Sequence, residues 1–97
     1  MVYYSMNEYT IGGFTKSKTR GKMYDATLKS KETGRTVKVP FGSSEYENFS
    51  DKTGLNKYQH LVHGDEERRK KYVSRHKGFI RPGYYSPGYF AMYYLWS

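Results

Sequence analysis

Residues 23–41, MYDATLKSKETGRTVKVPF, alternate apolar and polar side chains in two successive runs. Successive side chains of an extended chain point to opposite sides, so Tyr24, Ala26 and Leu28 share one face while Asp25, Thr27 and Lys29 share the other. Val37, Val39 and Phe41 repeat the pattern after Arg35. Between the runs, Lys31-Glu32-Thr33-Gly34 carries turn chemistry, with Gly34 where a positive φ is tolerated. The stretch therefore predicts a β-hairpin with one apolar face. Pro40 has no N–H to give to a ladder, so the second strand is expected to have an open edge, a basic surface on which a partner can dock.

Upstream, residues 9–14 could add a strand, but Gly12-Gly13 breaks the alternation and leaves residues 1–13 as a candidate extended N-terminal arm. Downstream, residues 43–64 are polar, with single aromatics at Tyr46, Phe49 and Tyr58, and predict a loop containing one short helical turn. Asp65 then opens a helix. Asp is a good N-cap, Glu66 and Glu67 occupy the first turn where the dipole favours anions, and Arg75, His76 and Lys77 occupy the last, before Gly78 as the stop. Ser86-Pro87 is a second start signal, leading into a short aromatic helix over residues 88–96 whose spacing predicts packing by Phe90, Tyr93 and Trp96.

These elements make one small α+β domain over residues 1–97: an antiparallel, hairpin-based sheet packed on one central helix at 65–77 and closed by the aromatic C-terminal helix. A hydrophobic fraction of 36% is thin for a core, yet 19% of the residues are aromatic and 12 are Tyr. Large rings compensate for few aliphatics, and the buried hydroxyls among them need partners. The mean hydropathy of −0.95 is that of a disordered chain, and the rings argue against disorder.

No Cys is present, so neither a disulfide framework nor a Cys-rich zinc site holds the domain, and cytoplasm, nucleus or a particle assembled there is the expected setting. The first ten residues contain no apolar run of signal-peptide length, and nothing approaches the roughly 20 apolar residues of a membrane span. No membrane partner is expected. The net charge of +8 is unevenly spread. Lys16, Lys18, Arg20, Lys22, Lys29, Lys31, Arg35 and Lys38 form one basic block and residues 68–81 a second. Between them lies an acidic waist with Glu45, Glu47, Asp51, Asp65, Glu66 and Glu67. A polyanionic partner fits this distribution.

On a helical wheel Asp65, Arg69, Tyr72 and His76 fall on one face, flanked by Arg68 and Arg75. So polar a face either pairs its charges in a buried network or is an exposed site; the first reading is favoured and makes Asp65, Arg69, Tyr72, Arg75, His76 and Trp96 a structural network. Lys70, Lys71 and Lys77 point elsewhere and are candidate phosphate contacts, together with the eight basic residues of the hairpin side.

The segment with His63, Asp65, Arg68, Tyr72 and Arg75-His76-Lys77, together with Phe41-Gly42 upstream and Leu95-Trp96 at the end, resembles a family of small proteins of unknown function from tailed bacteriophages and large DNA viruses. The resemblance covers roughly residues 24–96. Family members often carry Trp and Arg in the tail where this chain has Tyr89, Phe90, Met92, Tyr93 and Tyr94. It implies a viral origin and a shared fold, with no activity attached.

His60 and His63 with Asp65 nearby have the look of a metal cluster, but such spacing is common by chance. No Gly-rich phosphate loop, nucleophile elbow or thiol is present, and helix capping accounts for Asp65-Glu66-Glu67. No enzyme, metal or cofactor is expected. The function expected is nucleic-acid binding, of DNA first, by a virus-encoded protein in the host cytoplasm or nucleus, with residues 84–90 offering tyrosines for base stacking. The alternative is a virion component, such as a minor capsid or cement protein, that meets an acidic viral protein surface and docks on a shell protein.

Overall fold

The hairpin forms as its alternation requires. In the computed structural model, which describes residues 3–97, β1 (Tyr4–Ser5) and β2 (Tyr9–Lys16) precede the hairpin strands β3 (Lys22–Ser30) and β4 (Thr36–Ser43). Tyr24 pairs with Phe41, Ala26 with Val39 and Leu28 with Val37, which sets the apolar residues of both strands on one face. Tyr24, Ala26, Leu28 and Phe41 are fully buried there. Gly34, at φ 75°, closes the turn with its N–H on the Ser30 carbonyl, and the Ser30 N–H returns to Arg35. The strand order is β2-β3-β4, so β4 is a sheet edge and Pro40, opposite Asp25, leaves no ladder bond unmade.

Within the described part of the candidate arm over residues 1–13, the chain forms strands and not a free arm. Residues 1–2 lie outside the described residues, Tyr4 and Ser5 pair with Tyr85 and Tyr84, and β2 is a full strand on β3. Ile11 pairs with Leu28 and Gly13 with Thr27, so Gly12 is the extra residue of a β-bulge. The bulge shifts the parity of the strand. Tyr9 and Ile11 face the core before it and Phe14 after it, a pattern that strict alternation hides.

The loop after β4 carries the expected short turn, a 3-10 turn at Gln59–Leu61. Asp65 caps α1 (Glu66–His76) by accepting the Glu67 and Arg68 N–H groups. Gly78 does not stop the helix. It lies inside a 3-10 turn, Lys77–Phe79, without the left-handed conformation of a capping glycine, and the chain turns away at Ile80. β5 (Tyr84–Tyr85) follows, then α2 (Pro87–Phe90), capped by the buried Ser86 hydroxyl, which accepts the Tyr89 N–H.

The winding changes at Ala91–Leu95 into a π-helical turn. Five-residue spacing brings Leu95 under Phe90, both buried, and turns Tyr93 outward to 49% exposure. Of the three residues expected to pack, Phe90 is at the centre, Trp96 is half-buried, and Tyr93 is exposed because the spacing is not α-helical. The unbonded carbonyls at this end are taken by the loop: Ser50 N–H donates to Leu95 and Lys52 N–H to Tyr94.

The α+β class holds. The apolar face of the sheet, however, is covered by the C-terminal segment, with Phe90 against Phe14 and Phe41, while α1 contributes no buried residue. A helix whose faces are all polar cannot roof a core. Gly42 permits the close approach of β4 to the C-terminal segment: a Cβ there would lie 2.7 Å from Leu95 Cδ1, and its φ is 75°.

Tyr24 ties the long loop to the sheet. Its hydroxyl donates to Asp51 Oδ2 at 2.6 Å and accepts the Lys57 N–H at 3.0 Å. Burial, with the Asp51 carboxylate beside it, pushes the Tyr24 hydroxyl from 10.0 up to about 12. The folded value lies above the unfolded one, so the tie is intact below pH 10 and stability falls as pH rises from 10.0 to about 12. Tyr24→Phe is expected to cost about 1.5–3 kcal/mol in urea denaturation, the range for a hydrogen bond to a charged group, and to flatten that alkaline fall. An unchanged midpoint would refute the tie.

Candidate functional site

Between α1 on one side and the end of β4 with α2 and the π-turn on the other lies an open cleft of about 870 Å³. Its helical wall is Arg68, Lys71, Tyr72 and Arg75, the i, i+3, i+4, i+7 positions of one face. Lys22 stands at the start of β3 across from them, Phe41 and Leu95 form the floor, and Glu45, Tyr46 and Glu47 form a loop at the rim. The cleft thus joins the two basic blocks that are far apart in the chain.

Its charges divide unequally. Arg68 Nη1 lies 2.9 Å from Glu47 Oε1, an exposed ion pair that contributes roughly 0–1 kcal/mol and neutralises both groups. Lys22, Lys71 and Arg75 make no side-chain hydrogen bond or ion pair among the described residues, leaving them free for an anion against Glu45 alone. Asp51 and Glu66 of the waist are engaged. Asp51 accepts from Tyr24, Thr53 N–H and the Thr53 hydroxyl, while Glu66 is bonded to Arg69 at 2.6 Å, and that guanidinium holds the Glu66 carboxyl below the usual carboxylate range.

The expected structural network is a column of rings instead of a hydrogen-bonded chain. Trp96 stacks on Tyr72 at 4.2 Å and 4°, and Tyr72 stacks on His76 at 4.1 Å and 19°. His76 Nδ1 donates to the Tyr72 carbonyl at 2.9 Å, and burial raises the Tyr72 hydroxyl pKa. Arg69 turns away to Glu66 and to the Phe49 ring at 5.6 Å. Asp65 is spent on the cap, and its own N–H donates to His63 Nδ1, which places His63 at the helix entry against Trp96. Arg75 joins none of these contacts and lines the cleft.

The remaining candidate phosphate contacts do not converge. Lys18 and Arg20 sit on the β2–β3 turn that abuts Lys22, and Lys16 lies over the Tyr58 ring at 5.9 Å. Lys29, Lys31 and Arg35 lie at the opposite end of the sheet, about 23 Å along β3 from Lys22 at 3.3 Å per residue, and Lys31 Nζ donates to the Met6 carbonyl. Lys38 projects opposite Thr27 on the outer face, Lys70 stands outside the cleft, and Lys77 lies beyond α1. The tyrosines at 84–90 are packed: Tyr84 against Tyr3 and Arg81, Tyr85 against Phe90, and Tyr89 against Tyr93. Sequence reasoning does not place Tyr46 among the candidate site residues, and it assigns Arg75 to the structural network and not to the phosphate contacts. The available signal for Tyr46 was a large ring between two acids, outside any apolar periodicity.

Among the described residues, no three His, Asp or Glu side chains come together to hold a metal, and no helix is long and apolar enough to cross a membrane. The chain matches no protein-family model, no curated protein and no solved structure.

Proposed function

We propose that this protein binds nucleic acid without catalysis, gripping the phosphate backbone in the cleft between α1 and the sheet. The observation that carries the reading is the convergence of unpaired Lys22, Lys71 and Arg75 on one cleft. Phosphate contacts of this kind release counterions, so binding through three cations weakens by about 20-fold between 50 and 200 mM salt on a single strand. The setting proposed is the host cell during infection, following the resemblance of the 63–77 segment to small viral proteins.

Fluorescence anisotropy of labelled DNA and RNA at those two salt concentrations is the test. Lys71→Ala/Arg75→Ala is expected to weaken binding and to reduce the salt slope by about 1.4, whereas Lys29→Ala/Lys38→Ala, on the far side of the sheet, leaves both unchanged. Absence of binding at 50 mM salt, or equal losses in the two double variants, would overturn the assignment.

A further inference from the structure

Every tyrosine but one among the 12 touches another aromatic ring. Tyr46 is the exception. Among the described residues it is the most open large apolar side chain, 72% exposed, and it makes no ring contact, cation contact or side-chain hydrogen bond. It also stands at the rim of the cationic cleft.

The other rings of that cleft are already engaged with neighbouring rings or buried. Tyr72 is sandwiched between Trp96 and His76, Trp96 has one face on Tyr72 and a tilted contact with His63, and Phe41 is fully buried in the floor. The other exposed rings, Phe79 and Tyr93, lie outside the cleft and lean on His76 and Tyr89. Charge separates the two walls as well. Glu45 beside Tyr46 repels a phosphate and tolerates a neutral ring, with Glu47 held by Arg68, while Lys71 and Arg75 attract the phosphate.

From this we infer that Tyr46 is a base-stacking residue and that the cleft selects single-stranded nucleic acid, with a nucleobase on the Tyr46 ring and the adjoining phosphates on Lys22, Lys71 and Arg75. The inference rests on the proposed function and adds the feature that phosphate contacts alone lack. A duplex keeps its bases stacked on one another and presents none to the ring, whereas a single strand has free base faces that stack regardless of sequence.

The experiment compares binding of the full chain to four ligands of about 12 nucleotides: single-stranded DNA, single-stranded RNA of the same sequence, an abasic strand with the same phosphates, and the DNA duplex. Tyr46→Ala is expected to weaken the base-bearing single strands by roughly 5- to 150-fold and to leave the abasic strand and duplex unchanged. Tyr46→Phe keeps the ring and is expected to bind as the wild type does. The exposed, unpaired position makes misfolding an unsuitable explanation for a loss, and matching circular dichroism of the variants checks that. The ratio of DNA to RNA affinity shows which strand is preferred.

If Tyr46→Ala binds the base-bearing and abasic strands as the wild type does, while salt-sensitive binding persists, the stacking role is overturned and the phosphate cleft survives. If no strand binds, both fall.

Discussion

Phe90→Ala is expected to lower the stability of the domain by about 3–5 kcal/mol, the cost of emptying a fully buried aromatic site. Phe90 meets rings from four other elements: Phe14 of β2 at 6.0 Å, Phe41 of β4 at 5.5 Å, Tyr85 of β5 at 5.7 Å, and Tyr94 in the π-turn at 6.0 Å. Removal leaves a void that these rings are too stiff to fill, in a small domain whose total stability is of order 5–15 kcal/mol. Urea denaturation measures the loss. Tyr93→Ala, three residues on and half exposed, is the control and is expected to cost less than about 0.5 kcal/mol. Equal losses at the two positions would mean that the segment winds as an ordinary α-helix, with Tyr93 inside.

Trp96→Ala is expected to release α1 while the sheet stays folded. The helix buries no residue of its own, and its main anchor is Tyr72 lying flat on the Trp96 indole. The ion pair of Arg68 with Glu47 and the Arg69 contact with Phe49 are exposed or partly exposed and contribute little. An isolated helix of 11 residues is marginal in water, so loss of the stack exposes it to fraying. For a half-buried Trp the cost is about 2–3 kcal/mol, below the range of a fully buried one. Hydrogen exchange should therefore show α1 amides losing protection by about 30- to 150-fold while β3 amides keep theirs. Nucleic-acid affinity should fall in parallel, because Lys71 and Arg75 ride on the released helix. Unchanged protection in α1 would show that its docking does not depend on Trp96.

The hairpin was legible because each of its strands meets the core on one face. Period-two alternation then writes the register into residue identity, from Tyr24-Ala26-Leu28 to Val37-Val39-Phe41. The caps at Asp65 and Ser86 were legible for a similarly local reason: a side-chain oxygen and the N–H groups it accepts lie within three residues. Strand β2 was obscured by its bulge, which moves Phe14 to the parity that alternation assigns to solvent. The wheel put Asp65, Arg69, Tyr72 and His76 on one face of α1, whereas the cleft side is Arg68, Lys71, Tyr72 and Arg75, with Asp65 and Arg69 engaged locally.

By itself the sequence determined the α+β class, the hairpin and its turn, the starts of both helices, and the surplus of positive charge. All of these follow from interactions between residues a few positions apart or from composition. Only the tertiary structure decided that the C-terminal aromatic segment roofs the sheet, that α1 stands off it across a cleft, and that Lys22 meets Lys71 and Arg75 there while Tyr46 is left free. Such pairings depend on how distant segments pack around a shared aromatic core, and no local periodicity encodes which charged side chains that packing leaves without a partner.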